Sequence, residues 1–185
     1  YKFFGIVDLE EESPHRSRTT AWGSWMSPSA PYIYNPKECV ILAYKNKHIK
    51  TIKGIPEWVG EMGEVEGKDG NMRPKMMYTE KQKREFIDLV FGQWNYFADT
   101  KSLTKATFSM DIPTKAIKIL TYKNDIVLDP FMGSGTTALS AEFLDRRWIG
   151  IELSPNYIEV ANKRLLEYRA KLLQMKLELE EVSKF

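Results

Sequence analysis

The sequence predicts an α/β fold with a mixed sheet, and this prediction depends on two features of the chain. Over residues 125–141, an aliphatic run ends at Asp129-Pro130 and a Gly-Ser-Gly turn then opens into a segment with helical spacing, the pattern of a strand, a glycine turn and a helix. Residues 2–9 and 38–44 are strand-like runs that we expect to pair antiparallel as a wide hairpin. The chain therefore combines a strand–helix unit with antiparallel strands.

The glycine turn has the composition of a binding site for a nucleoside or an anion. Glycines at 133 and 135 remove side chains that would hold a ligand away from the backbone, and the next helix offers N–H groups at its start. A second apolar run, residues 148–152, ends in Glu152, where dinucleotide-binding folds place a carboxylate against a ribose. Spacing alone leaves an ordinary strand–helix turn equally open, because such glycine turns are common.

The wording of the turn, Asp129-Pro-Phe-Met-Gly-Ser-Gly-Thr-Thr137, resembles the cofactor motif of the amino-methylating DNA methyltransferases, the N6-adenine and N4-cytosine family. The resemblance implies a Rossmann-like methyltransferase fold and S-adenosylmethionine (AdoMet) as the cofactor. It also implies that the turn backbone holds the methionine moiety, that a threonine assists, and that Glu152 binds the ribose hydroxyls. The cofactor-binding residues implied in this way are Asp129, Pro130, Phe131, Gly133, Ser134, Gly135, Thr136, Thr137 and Glu152.

Phe108 is a further cofactor contact that the resemblance implies. In the family, a segment with His-Pro before an Ala-x-Phe-Pro pattern lies beside the cofactor. Here Thr104-Lys105 stand at the His-Pro position and Ser109 replaces the second proline, while Phe108 remains. A helix is expected to begin shortly afterwards, at Pro113.

Residues 19–32 are rich in Pro, Ser and Gly and contain two tryptophans, Trp22 and Trp25. One interpretation is that both rings fold back onto the core. The other is that they form a wall against a base outside the DNA stack, because a planar ring offers every base a stacking face. The segment also resembles the TAWGSW-SPSAPY loop of the same methyltransferases, which favours DNA as a partner.

Gly, Pro and alternating charges replace periodic apolar residues over 45–75. One interpretation is a solvated loop, mobile over 60–70. The other is a target-recognition insertion whose lysines contact DNA phosphates. The side chains predicted to contact DNA in the whole chain are Arg16, Trp22, Trp25, Lys47, Lys50 and Lys53.

Two amphipathic helices are predicted outside the glycine unit. The Thr79-Glu-Lys-Gln82 capping box starts one, and Phe86, Leu89, Val90 and Trp94 are expected to form its core-facing side. The other starts at Ser154-Pro155. Its first half is expected to cover the sheet, and its end to meet either a second copy in a homodimer or a different subunit. Its apolar residues follow coiled-coil spacing at Ile158, Ala161, Leu165, Tyr168, Leu172, Met175, Leu179 and Val182.

Composition adds limits on partners and location. The 185 residues carry a net charge of +2, so a DNA-binding surface must be local. A single cysteine, Cys39, excludes an internal disulfide and fits a reducing cytoplasm, as expected for a prokaryotic or phage-encoded protein. No apolar run approaches the roughly 20 residues that span a bilayer, so no membrane partner is expected, and no metal site is assigned.

The chemistry expected of this family is only partly represented in the chain. The resemblance implies an Asp/Asn/Ser-Pro-Pro-aromatic tetrapeptide whose oxygens accept the amino hydrogens of a flipped base. The nearest match, Ser154-Pro-Asn-Tyr157, lacks the second proline and is interpreted as a helix cap. No catalytic residue is therefore assigned, and we expect the tetrapeptide upstream of Tyr1, as in one permuted order of the family.

Three segments follow: residues 1–44 with the wide hairpin and tryptophan-rich loop, 45–100 with the recognition insertion and a helix, and 101–185 with the AdoMet-binding half. The predicted function is methylation of adenine N6 in double-stranded DNA, in a restriction-modification system or alone. Cytosine N4 stays open as the target. Two different functions also stay open, namely a non-catalytic AdoMet- or DNA-binding subunit that needs a partner chain, and an RNA methyltransferase.

Overall fold

A computed structural model describes residues 2–11, 38–45, 54–97 and 108–182 of the chain. Four strands come first and helices then alternate with strands, and both the fold class and the mixed sheet are confirmed. The elements are β1 (Lys2–Glu11), β2 (Glu38–Tyr44), β3 (Glu61–Glu66), β4 (Met72–Met77), α1 (Glu80–Val90), β5 (Gln93–Tyr96), α2 (Asp111–Leu120), β6 (Ile126–Asp129), α3 (Thr136–Phe143), β7 (Arg147–Gly150) and α4 (Pro155–Val182).

The mixed sheet has the order β2-β1-β5. Strand β2 pairs antiparallel with β1, with Ile6 opposite Ile41, which confirms the predicted wide hairpin. Strand β5 pairs parallel with β1 on its other edge. Val7 and Trp94 are buried, so the centre of this sheet is anchored by one residue from each of the parallel strands.

Strands β3 and β4 form an antiparallel hairpin over residues that one interpretation assigned to a solvated loop, so the loop interpretation is wrong there, while mobility over 60–70 stays a prediction. The pairing runs from Glu61 opposite Met77 to Glu66 opposite Met72, and the N–H of Gly67 donates to the carbonyl of Asn71 (2.8 Å) across the turn. The hairpin buries neither face completely, so it lacks the apolar alternation that marks a half-buried strand.

Helix α1 begins as predicted and ends earlier than predicted. The hydroxyl of Thr79 accepts from the N–H of Gln82 (3.2 Å), and the Gln82 side chain accepts from the N–H of Thr79 (2.9 Å), which confirms the capping box. The helix stops at Val90, and Trp94 lies on β5 with its Nε1 donating to the carbonyl of Leu89 (2.8 Å). Leu89 is buried, but Phe86 is 48% exposed. Of the residues predicted to form the core-facing side of this helix, only Leu89 is buried on it.

The second part of the core lies between helices α2, α3 and α4 and one face of the parallel pair β6–β7. Helix α2 begins at Asp111, two residues before the predicted start, because the Ser109 hydroxyl accepts the Asp111 N–H (3.2 Å) there. The buried apolar residues of this core are Ile117, Met132, Ala138, Leu139, Ala141, Leu144, Ala161 and Leu165.

The opposite face of β6–β7 is apolar and open to solvent. Leu128 is 59% exposed, and Ile126, Ile149 and Ile151 are similarly exposed. Among the described strands, β6 pairs only with β7. Parallel strands normally have both faces covered, so this face departs from the usual pattern.

Helix α4 divides into a packed half and a projecting half. Ala161 and Leu165 are buried mainly against α3, and Trp148 of β7 packs against the same cluster, so the first half was predicted to cover the sheet but packs chiefly on a helix. Further along, Met175 and Leu179 are exposed, so the predicted seam continues without a covering element among the described residues. Within the described ranges, no helix is both long and apolar enough to cross a membrane.

Candidate functional site

The glycine turn between β6 and α3 adopts a backbone that its two glycines permit. Gly133 has φ +52° and Gly135 has φ +80°, both in the left-handed region that other residues seldom adopt. The Met132 N–H donates to the carbonyl of Ile151 (2.9 Å), and the Gly135 N–H donates to the carbonyl of Met132 (2.9 Å). The first bond connects the turn to the residue after β7, and the second connects two residues within the turn.

Glu152 lies directly against the turn. One carboxylate oxygen accepts the N–H of Gly133 (2.8 Å), and the other accepts the N–H of Ser154 (2.8 Å). The Ser154 and Gly133 N–H groups, in that order of effect, lower the pKa of the Glu152 carboxyl below its ordinary value. The carboxylate is therefore ionised at neutral pH, and each oxygen keeps a lone pair for a further donor.

Asp129 shapes the turn from the strand side. Its Oδ1 accepts the N–H of Phe131 (3.0 Å), a side-chain bond that reverses the chain just after β6. Phe131 is 87% exposed, so its aromatic ring stands in solvent beside the turn. Pro130 is also exposed, and Thr137 is half-buried.

Arg164, a residue that the sequence reasoning missed, fixes the turn from behind. Its Nη1 donates to the carbonyl of Ser134 (2.7 Å), to the Ser134 hydroxyl (2.9 Å) and to the Thr136 hydroxyl (3.2 Å). Ser134 and Thr136 are buried, so their hydroxyls face α4. No pattern in the chain signals this role, because Arg164 lies about thirty residues after Ser134 and follows the helix pattern of its neighbours.

The start of α3 supplies N–H groups to the same place. The first bond inside the helix runs from the N–H of Leu139 to the carbonyl of Gly135 (3.0 Å), so the N–H groups of Thr136, Thr137 and Ala138 lack acceptors within the helix. Such a helix start attracts negative charge. The site thus pairs N–H donors for an anionic group with a carboxylate that accepts from hydroxyls.

Phe108 lies just before α2. Two residues later, Met110 packs against the core cluster that contains Met132, and its carbonyl accepts from the Ser140 hydroxyl (3.4 Å). Phe108 itself is 42% exposed, and its contact with a cofactor stays a prediction.

The predicted DNA contacts lie outside the described residues. This applies to every one of them, namely Arg16, Trp22, Trp25, Lys47, Lys50 and Lys53. Both interpretations of the tryptophan-rich loop therefore stay open. The DNA contact of the lysine cluster also stays a prediction.

Comparison with known proteins gives matches over much of the chain. The family described as DNA methylase, of the N6/N4 class, matches residues 11–163. The chain is similar to the type II methyltransferase M.BglI of Bacillus subtilis, with 51% identity over 61 residues, which is 33% of this chain and 18% of that protein. It is also similar to the type II methyltransferase M.HinfI of Haemophilus influenzae, with 56% identity over 46 residues, or 25% of this chain and 13% of that protein.

Among solved structures, the chain is similar to a putative DNA modification methylase of Thermus thermophilus, TTHA0409, which was crystallised with S-adenosyl-L-methionine. The TM-score is 0.52 at 19% identity, and the match covers 90% of this chain. This likeness shows a shared fold. The chain spans 54% of the length of that structure, and a smaller share of the two methyltransferases above.

Proposed function

The chain belongs to the N6/N4 DNA methylase family, and on that premise we propose that it forms the AdoMet-binding part of an enzyme that methylates the exocyclic amino group of adenine, N6, in double-stranded DNA. Cytosine N4 is the alternative target, because the matched family covers both N6 and N4 methylation. The type II methyltransferases to which the chain is similar support a place in a restriction-modification system.

One observation carries this proposal: the Glu152 carboxylate is held 2.8 Å from the N–H of Gly133, inside the turn. The donor set fits AdoMet, because the ribose hydroxyls need an ionised acceptor and the methionine carboxylate needs N–H donors. We assign Glu152 to the ribose, and the N–H groups at the start of α3 to the carboxylate. When bound, AdoMet supplies an electrophilic methyl group on a sulfonium.

The residues of this chain would then hold and orient the cofactor. Arg164 fixes the backbone of Ser134, so the turn does not reorganise when a ligand arrives. Phe131, exposed beside the turn, offers an aromatic ring to the adenine or to the substrate base. The sequence holds no Pro-Pro-aromatic tetrapeptide, so we propose that the groups accepting the amino hydrogens come from polypeptide outside these residues.

A second candidate is a non-catalytic subunit that binds AdoMet or DNA and works with a partner chain. The observation that favours it is the projecting half of α4, where Met175 and Leu179 are exposed in a coiled-coil pattern. The two candidates differ in whether the catalytic groups lie on the same polypeptide or on a separate partner chain.

Calorimetric titration of AdoMet into the chain and into Glu152→Gln tests the cofactor assignment. We expect the amide to weaken binding on the order of tenfold or more, since it replaces a charged acceptor with a neutral one. Glu159→Gln is the matched control, because it removes the same charge from an exposed position on α4. Equal affinities for the chain and Glu152→Gln would refute the ribose assignment.

Transfer of a labelled methyl group to unmethylated duplex DNA, with RNA as a parallel substrate, tests the reaction. When the groups that accept the amino hydrogens are supplied, label in N6-methyldeoxyadenosine supports the proposed function, and label in N4-methyldeoxycytidine supports the alternative base. AdoMet binding without transfer by this chain alone is expected of both candidates, and transfer that appears only when a separate partner chain is added favours the subunit. Label only in RNA would refute the assignment to DNA.

A further inference from the structure

The base of the hairpin β3–β4 is attached to the cofactor half, which is our name for the proposed AdoMet-binding residues 101–185, of which 108–182 are described. The segment that leads into it, residues 54–59, runs along the α2–β6 connection, where the Lys123 N–H donates to the carbonyl of Ile55 (2.8 Å). A Cβ on Gly54 would lie 2.7 Å from the Cβ of Tyr122, so only glycine permits this approach. The backbone of the segment is therefore pressed against the cofactor half.

A buried ion pair holds the same segment. The side chain of Arg146 is fully buried, and its Nη1 donates to Glu57 Oε2 at 2.7 Å. The remaining donors go to the Thr121 carbonyl (2.9 Å), the Thr121 hydroxyl (3.0 Å) and the Leu144 carbonyl. Every acceptor except Glu57 belongs to the cofactor half, so Glu57 is the group through which Arg146 holds the segment 54–59.

Helix α1 holds the segment from the other side. Trp58 donates its Nε1 to Glu85 Oε2 (3.0 Å), and its ring meets the edge of Phe86 at 5.3 Å between centroids. The Gln82 side chain donates to the carbonyl of Val59 (3.1 Å). Glu85 is also paired with Lys118 of α2. The segment at the base of the hairpin is therefore held both by the cofactor half and by helix α1.

We propose that Arg146 and Glu57 are positioning residues that set the orientation of the hairpin β3–β4 relative to the cofactor turn, and thereby relative to the DNA target. The proposal rests on the proposed function of the chain as part of a DNA methylase. Arg146 immediately precedes β7, and Glu152 follows the same strand by two residues. One short strand thus connects the base of the hairpin to the carboxylate of the cofactor site.

Burial of the Arg146 side chain strengthens the connection between Arg146 and Glu57. A guanidinium with no solvent exposure cannot replace a lost partner with water, so releasing Glu57 would leave an unpaired buried charge. Movement of the hairpin base is therefore disfavoured as long as the pair is intact. An exposed pair such as Arg73 with Asp69, at the hairpin tip, has no such constraint because water competes for both groups.

The test compares Glu57→Gln with the wild-type chain and with Glu64→Gln, a matched control on an exposed position of β3. Hydrogen–deuterium exchange of residues 61–77 measures how often the hairpin opens. Fluorescence anisotropy with an unmethylated duplex measures DNA affinity, and calorimetry measures AdoMet affinity. For Glu57→Gln we expect amide exchange in the hairpin to rise, and DNA affinity to fall, each on the order of tenfold. AdoMet affinity should stay within about twofold of wild type, because all contacts inside the cofactor half remain.

Arg146→Lys is the second variant, because it keeps the charge and loses the forked contacts to Thr121. It should loosen the hairpin as Glu57→Gln does. Unchanged hairpin exchange in both variants would overturn the proposal. A loss of AdoMet affinity in Glu57→Gln that parallels the loss of DNA affinity would also overturn it, because it indicates general destabilisation. If the wild-type chain binds AdoMet but not DNA, the proposed DNA function fails, while the exchange measurement still decides whether the pair holds the hairpin.

Discussion

Replacement of Gly135 by alanine should destabilise the chain through two separable effects. Gly135 has φ +80°, and a Cβ there would lie 3.0 Å from the Cβ of Ala161, which is completely buried on α4. The added methyl group is therefore strained by its own backbone and crowded by the neighbouring helix. Both effects act at the point where α3 leaves the cofactor turn.

Gly133 offers a control that isolates the backbone effect. It also has a left-handed backbone, φ +52°, but the nearest heavy atom to its added Cβ is the Phe131 carbonyl oxygen at 4.0 Å. Gly133→Ala should therefore cost about 1–2 kcal/mol of unfolding free energy from backbone strain alone. Gly135→Ala should cost about 1–3 kcal/mol more from crowding.

Urea unfolding of the two variants without cofactor measures this difference. A third variant, Ala161→Gly combined with Gly135→Ala, should recover part of the crowding cost, and the double-mutant cycle should show a coupling of about 1 kcal/mol. Equal destabilisation of Gly133→Ala and Gly135→Ala, with no coupling to Ala161, would refute the close contact between turn and helix.

Three further predictions concern other contacts of the fold. Arg164→Met should weaken AdoMet binding in calorimetry and cost about 1–3 kcal/mol in urea unfolding, because it leaves the buried acceptors of Ser134 without a donor; unchanged binding would contradict the role of Arg164. Trp94→Ala should cost about 3–5 kcal/mol because the ring is 1% exposed, and Trp94→Phe should cost less; a smaller loss for alanine than for phenylalanine would contradict its burial. The lowered pKa of Glu152 means that its stabilising contribution is present above the ordinary glutamate pKa of about 4.3 and is lost as pH falls through the folded-state pKa. Thermal unfolding across this acid range should therefore depend on pH more steeply for the wild-type chain than for Glu152→Gln, and identical slopes would contradict the prediction.

The backbone of the glycine turn could be predicted from the sequence because its determinants are local, while its binding of a cofactor stays a proposal. Gly133 and Gly135 prescribe the backbone, Asp129 bonds its own neighbour, and Glu152 follows from the length of one strand–helix–strand unit. The capping box at Thr79 was equally local and was also confirmed. Residues within one turn or one unit are constrained whatever the rest of the chain does.

The features that were missed depend on distant contacts. Trp94 fitted the face of a helix by spacing, but pairing of β5 with β1, more than eighty residues earlier, places it in a strand. The hairpin β3–β4 is held by contacts such as Arg146 with Glu57, which no periodic pattern reveals. An Asp69-Gly70 turn was the one local signal of that hairpin, and the charged sequence around it concealed the strands.

The open face of the β6–β7 pair also affects the self-association and dye binding of the isolated chain in solution. It carries an exposed apolar patch, formed by Ile126, Leu128, Ile149 and Ile151, that favours association with other apolar surfaces. Sulfate and similar salts strengthen apolar association, so they should drive molecules of the chain together through this patch at concentrations that leave ordinary small domains dispersed. A fluorescent dye such as ANS should brighten on the fully folded chain, a signal usually read as partial unfolding.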